Sequence, residues 1–194
     1  TVPSIENGNE VTLVGTHLED QLKETIKSKK NTHPILDINL SKFLKVEKFE
    51  KLNSILNNGT DVIVAGVSSL GIEWFANQIS KNYKNNIPIV LLTKGLAIVD
   101  NEITTLSEKI KRILNNEGHK DINISAIKGP CLAAGLANKM RTGTVIANPS
   151  IKEAQFLKKI ISTNYYSTEI SIDLNGIELS GAIKNIYSML IGAS

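Results

Sequence analysis

The strongest constraint on this chain is an alternation. Short runs rich in β-branched residues at 10–15, 61–67, 87–93, 122–128 and 143–148 are separated by segments of helical spacing and mixed charge at 18–30, 47–58, 70–84, 103–116 and 151–162. Runs of that composition and length predict strands. Strands that recur with a helix between them predict a parallel sheet, because a parallel neighbour needs a crossover connection and the crossover helices then cover both faces. The near-continuous apolar character of DVIVAGV and IPIVLLT predicts strands buried on both sides. The stretch 31–46 reads as an irregular connection with one short strand near its end, and 164–172 as a last strand.

From Asp173 the chain turns small, apolar and helical. This predicts one α/β domain over 1–171 and the start of a second, mostly helical domain over 172–194. The length of 194 residues and 41% hydrophobic content suit one full-sized core plus part of another. TVPSIENGNEVTLVG, without an initiator Met, reads as the end of a helix, a helix-end glycine and then a strand; IKNIYSMLIGAS reads as a helix without a stop signal. The expectation is an internal piece of a longer protein.

In an open α/β sheet, ligands bind beyond the carboxyl ends of the strands. That rule selects GTH (15–17), GVSS (66–69), TKG (93–95) and KGPCLA (128–133). Each alone also fits plain turn chemistry, and Lys94 also fits the first exposed residue after a strand. The last helix carries an apolar stripe, Ile183, Ile186, Tyr187 and Leu190, and a polar one, Gly181, Lys184, Asn185 and Ser188. Between 174 and 194 the charged residues are Glu178 and Lys184. So sparse a polar face fits a cavity-facing lysine with partners or a function, and the pattern fits a solvated amphipathic helix equally well.

Other classes receive little support. The net charge of +3 is spread among interspersed acids and bases, and aromatics make up 5%, which argues against a nucleic-acid surface. No apolar run approaches the roughly 18 residues of a membrane span, which with the absence of a signal segment predicts a soluble, cytoplasmic chain. Cys131 is the single cysteine, so there is no internal disulfide and no Cys-based zinc cage. His17 reads as a surface residue, and His33 and His119 lie in polar connections without ligand-spaced partners, so no metal site is expected.

Four segments then fall into a known order: DVIVAGVSS, LLTKGL around Lys94, GPCLA after INISAIK, and D-x-x-G-I-E-x-x-G-A-I-K-N, which fixes Asp173, Gly176, Glu178, Gly181, Ala182, Lys184 and Asn185 together. On these residues the chain resembles the NAD(P)-dependent glycerol-3-phosphate dehydrogenases over essentially its whole length. The resemblance implies a Rossmann-like doubly wound sheet followed by the first helix of an all-α domain. It places the G-x-G-x-x-G loop before Thr1 and most of the helical substrate domain after Ser194, so that residues 1–194 alone have little or no activity. The implied reaction is hydride transfer between NAD(P)H and dihydroxyacetone phosphate, a small phosphorylated substrate, giving sn-glycerol 3-phosphate for glycerophospholipid synthesis.

By the same resemblance Lys184 is the general acid at the C2 oxygen, Lys94 binds and polarises substrate, Gly129, Cys131 and Asn185 lie on the substrate side, and Val67, Ser68, Lys94 and Ala133 meet the cofactor. Cys131 departs from the hydroxyl residue of many bacterial members and is a poorer donor. A homodimer is left open for the full-length enzyme. The chemistry suits lysine, since an ammonium both stabilises the charge that builds on the ketone oxygen and supplies its proton. Two lysines on one cavity lower each other's pKa. The cofactor is NADP or NAD: the second Rossmann strand ends in Gly15, Thr16 and His17 without the usual carboxylate, so Thr16 can donate to a 2′-phosphate, which leans toward NADP. Alternative readings are a related hydroxyacid or ketopantoate-type dehydrogenase and a noncatalytic nucleotide-binding module.

Overall fold

A computed structural model describes residues 1–19, 22–28, 32–33, 36, 38–84 and 87–192; the side chains of residues 22, 23, 27, 185 and 188 lie outside what it describes. In chain order the elements are α1 (Val2–Glu6), β1 (Thr12–Val14), α2 (Leu22–Ser28), β2 (Lys45–Glu47), α3 (Leu52–Asn57), β3 (Ile63–Ala65), α4 (Ile72–Ser80), β4 (Ile89–Leu91), β5 (Leu96–Val99), β6 (Glu102–Thr105), α5 (Leu106–Asn116), β7 (Ile124–Lys128), α6 (Ala133–Ala137), β8 (Thr142–Ala147), α7 (Ile151–Ile161), β9 (Tyr166–Ser171) and α8 (Leu174–Gly192). The alternation is therefore present. The outer limits of the 18–30 helix at 20, 21, 29 and 30, and residues 31, 34, 35 and 37 of the connection, lie outside the described residues.

The chain divides into two compact units. One comprises Thr1–Gly59, Pro130–Thr144 and Phe156–Glu169. Here β1 and β2 pair in parallel, Thr12 to Val14 against Lys45 to Glu47. The Asn7 amide donates to the carbonyls of Ile160 at 2.9 Å and Ser162 at 2.8 Å, closing the end of α7. Glu6 accepts from the Tyr165 hydroxyl at 2.6 Å and pairs with Lys139 at 2.8 Å. The Lys139 ammonium, ahead of the tyrosine, holds the Glu6 carboxyl below its ordinary range, while burial first and Glu6 second push Tyr165 up to about 12.

The other unit comprises Thr60–Gly129, Val145–Gln155 and Ile170–Ser194. Its strands β3, β4 and β7 are parallel neighbours. β4 and β7 are buried throughout, β4 as its apolar run requires and β7 with Ser125 and Lys128 buried among its apolar residues. β3 corrects the expectation of burial on both sides, because it is an edge strand and its Val64 is 54% exposed. The expected parallel order also breaks once. β8 runs antiparallel to β7, the connection through α6 returning the chain from the strand end, and β9 lies beyond it in the sheet order β3-β4-β7-β8-β9.

A second correction concerns 96–105, where β5 and β6 form an antiparallel hairpin and the helix expected from 103 begins at Leu106. Asp100 and Asn101 both take positive φ, 52° and 62°, as a two-residue turn matched to strand twist demands. The Thr105 hydroxyl accepts from the Glu108 amide, fixing the start of α5. Ile110 and Leu114 of that helix are fully buried, as are Ile72 and Ile89. Truncating Ile110 to Ala removes a buried branch from the core and is expected to cost about 2–5 kcal/mol, read as a lower urea midpoint with unchanged slope.

Candidate functional site

The rule of strand ends leads to the carboxyl edge of β4. Thr93 is buried, and its hydroxyl donates to the Val67 carbonyl at 2.6 Å, tying the loop after β4 to the loop after β3. Gly95 has φ +135°, and a Cβ there would meet Ser69 Cβ at 3.2 Å, so both backbone conformation and close approach call for glycine. Between them, Lys94 is exposed.

Beside that loop, β7 ends in a lysine the sequence reading did not single out. Lys128 is 5% exposed, and its ammonium donates to the Thr93 carbonyl. Its aliphatic stem runs along α8: a Cβ at Gly181 would stand 3.2 Å from both Cγ and Cδ of Lys128. Glycine at 181 is thus required by a lysine more than fifty positions earlier in the chain. Burial pushes the Lys128 pKa down from 10.5 to about 8; the charge of Glu178 acts against that shift and the charge of Lys94 adds to it.

α8 is started by Asp173, whose Oδ1 accepts from the Gly176 amide at 2.8 Å. One turn on, Glu178 is 1% exposed; its Oε1 accepts from the Ser107 amide at 3.2 Å, in the first turn of α5, where a helix N-terminus favours a carboxylate. Among the described residues Glu178 Oε2 has no hydrogen-bond partner. Glu178, Gly181 and Lys184 follow at spacings of three and so share one side of the helix. That side turns inward at 178 and 181, and Lys184 is exposed one turn farther along. Of the apolar stripe, Ile183 is half-buried and Ile186, Tyr187 and Leu190 are 58%, 59% and 64% exposed, in a stretch of α8 whose described residues from 184 on are all exposed.

The structure thus gathers Val67, Thr93, Lys94, Lys128, Glu178 and Gly181 in one unit, together with exposed Ser68 and half-buried Gly129. Thr16, Cys131 and Ala133 belong to the other unit, where Thr16 and Cys131 are half-buried and Ala133 is exposed. Asn185 lies on α8, its side chain outside the described ones. What sequence reasoning missed is Lys128, although it heads the selected KGPCLA segment; its signal was a cation closing an otherwise apolar strand.

One expectation is corrected at Thr16. A carboxylate does stand at that strand end: Glu19 Oε2 accepts from the Thr16 amide at 3.0 Å and from its hydroxyl at 3.1 Å. The lean toward NADP therefore loses its stated ground. His33 and His119 have structural contacts, with His33 Nδ1 accepting from the Leu36 amide and His119 Nε2 lying 2.7 Å from the Ser80 carbonyl. Among the described residues there is no group of three or more His, Cys, Asp or Glu placed to hold a metal ion, and no helix long and apolar enough to cross a membrane.

Residues 4–154 match the family described as the N-terminus of NAD-dependent glycerol-3-phosphate dehydrogenase. The chain is similar to an NADP(+)-dependent glycerol-3-phosphate dehydrogenase of Archaeoglobus fulgidus, 34% identical over 193 residues, covering 98% of this chain and 55% of that one. A glycerol-3-phosphate dehydrogenase of Lactococcus lactis is 29% identical over 190 residues, covering 97% and 53%. In fold it is similar to the glycerol-3-phosphate dehydrogenase of Plasmodium falciparum, with a TM-score of 0.79 at 19% identity over 97% of this chain and 52% of that one. The chain spans about half the length of the curated relatives it matches.

The depressed pKa of Lys128 has a consequence for stability. Between about 8 and 10.5 the folded lysine has lost its proton and the unfolded one has kept it. The unfolded state then binds more protons, so this group makes stability rise with pH through that window. Urea midpoints measured across the window are expected to climb in the native chain, with that increment absent from Lys128→Met.

Proposed function

Because the chain belongs to the NAD-dependent glycerol-3-phosphate dehydrogenase family, we propose that it supplies the cofactor-binding half and the catalytic lysines of an enzyme that reduces dihydroxyacetone phosphate to sn-glycerol 3-phosphate. The reaction serves glycerophospholipid synthesis in the cytoplasm. In this reading residues 1–171 bind NAD(P), and residues 172–194 begin an α-helical substrate domain. The exposed apolar side chains of α8 support a further covering layer on that helix.

The observation that carries the reading is the cluster of Lys94, Lys128 and Glu178, with Gly181, one helical turn before Lys184, against the Lys128 stem. Such a cluster suits a substrate that is anionic and that gains negative charge on a carbonyl oxygen as it reacts. Lys184 donates the proton to that oxygen as general acid. Lys94 binds and polarises the substrate, with Gly129, Cys131 and Asn185 on the substrate side. Val67 and Ser68, at the end of β3, and Ala133 meet the cofactor, and Thr16 stands at its adenosine end. Their types fit a nucleotide, with a backbone turn after a strand, small side chains and a hydroxyl. When bound, the reduced cofactor supplies the hydride.

Whole enzyme assayed with NADPH and dihydroxyacetone phosphate is expected to lose NADPH absorbance, and Lys184→Ala to lower kcat by about 10²–10⁴-fold, the usual worth of a positioned acid. Near-normal turnover in that variant would remove Lys184 from the proton step. For the cofactor, Glu19→Gln removes a charge that repels a 2′-phosphate and is expected to shift the ratio of kcat/KM values several-fold toward NADPH over NADH. An unchanged ratio would show that the Thr16 turn does not read the ribose.

A further inference from the structure

We propose that Lys128 is the positioning residue of this reaction: its ammonium holds the loop that carries Lys94, while its stem seats the helix that carries Lys184. The inference rests on the dehydrogenase reading given above. It begins from two contacts made by opposite ends of one side chain, each toward a different catalytic lysine. At the head, the ammonium donates to the carbonyl of Thr93, the residue directly before Lys94. Along the stem, Cγ and Cδ lie where a Cβ at Gly181 would stand at 3.2 Å, and Gly181 precedes Lys184 by one turn.

The surroundings suit a rigid post. Lys128 closes β7, which is buried along its length between β4 and β8. Thr93 is held a second time by the bond from its hydroxyl to Val67, so the loop has two anchors and Lys94 leaves it from a fixed backbone. The charged groups that act on the ammonium are Glu178 from α8 and Lys94 from the loop after β4. Glu178 is itself fixed by the Ser107 amide of α5. Lys128 is buried, so it is assigned no contact with substrate; its effect passes through Lys94 and Lys184. Misplacing a positioned group by about an ångström can cost about a hundredfold in rate, which is the leverage such a post has.

The first test needs no turnover. In uniformly 15N-labelled chain, the amide resonances of Lys94 and Gly95 and those of Gly181 and Ala182 are followed as pH passes through about 8. The two segments are far apart in sequence, and both are expected to report the same midpoint. Both responses are expected to vanish in Lys128→Met, which keeps the stem and removes the ammonium. Different midpoints, a response in one segment alone, or midpoints that survive the substitution would overturn the proposal. If Lys128→Met does not fold, Lys128→Gln serves in its place.

The second test uses whole enzyme with NADPH and dihydroxyacetone phosphate. Lys128→Met is expected to lower kcat by about tenfold or more, leave KM for NADPH unchanged and alter the basic limb of the kcat profile against pH. A purely structural role would not produce that split. Lys128→Arg is not expected to restore the rate, because a planar, forked guanidinium does not take the place of a compact ammonium at the Thr93 carbonyl. Wild-type turnover in Lys128→Met overturns the proposal. A wild-type enzyme inert toward dihydroxyacetone phosphate, whose two segments still share one midpoint, overturns the dehydrogenase reading and with it any part for Lys128 in that reaction.

Discussion

A single ammonium group, placed where the sheet ends, organises the second unit of this protein. Removing a charge from water costs several kcal/mol even after relaxation, and a hydrogen bond to a charged group returns about 1.5–3 kcal/mol. For Lys128 the balance is visible in its pKa. The fall from 10.5 to about 8 shows burial, helped by the charge of Lys94, outweighing the attraction of Glu178. The fold tolerates this because the ammonium has the Thr93 carbonyl and the field of Glu178, and because the rest of the side chain has an apolar bed against Gly181.

The same constraint explains the unusual helix that follows. An amphipathic helix ordinarily turns its apolar stripe inward. In α8 the inward positions carry buried Leu174 and Glu178 and half-buried Gly181, while the described side chains from Lys184 onward are exposed all round the helix. The polar part of that inward side follows from what the helix packs on. A lysine stem needs a residue without a side chain, an ammonium needs a counter-charge, and the first turn of α5 offers an amide to that counter-charge. Helix, strand end and α5 are thereby fixed to one another by polar contacts in addition to the buried apolar side chains of α8 and α5.

Much of this was legible from the sequence, and the failures have physical causes. β4 was found because a strand buried on both faces is nearly continuously apolar, as IPIVLLT is, and β7 because INISAIK is short and β-branched. The β5–β6 hairpin was missed because its turn is Asp100–Asn101, a weaker signal than a pair containing glycine, and because Thr105 marks the helix start only once its hydroxyl is seen to cap. The reversal at β8 was invisible since composition and period carry no strand direction. Lys94 was selected by the rule of strand ends and Lys184 by its sparse helical face, each left open by pattern alone, and the roles given them rest on the resemblance. Lys128 was passed over because a lysine after an apolar run ordinarily marks the return to solvent. Glu178 looked like one of two surface charges on a helix. Only packing reveals both as buried. Glu19 escaped because it lies four positions beyond Gly15 and reaches back through the turn to Thr16.

The carboxylate at 178 divides its work between two partners. Oε1 accepts from the Ser107 amide, and Oε2 has no hydrogen bond among the described residues, so the charge of the group is not used up by its one bond. A glutamine there would keep an oxygen for Ser107 and lose the charge that offsets Lys128. An ammonium buried without its counter-charge is far more costly than one missing hydrogen bond between neutral groups. Glutamic acid is therefore required at 178 by Lys128 rather than by Ser107. The acid and the glycine of the E-x-x-G-x-x-K spacing then have separate reasons: Glu178 balances a buried charge and Gly181 makes room for its stem, with Lys184 exposed one turn later.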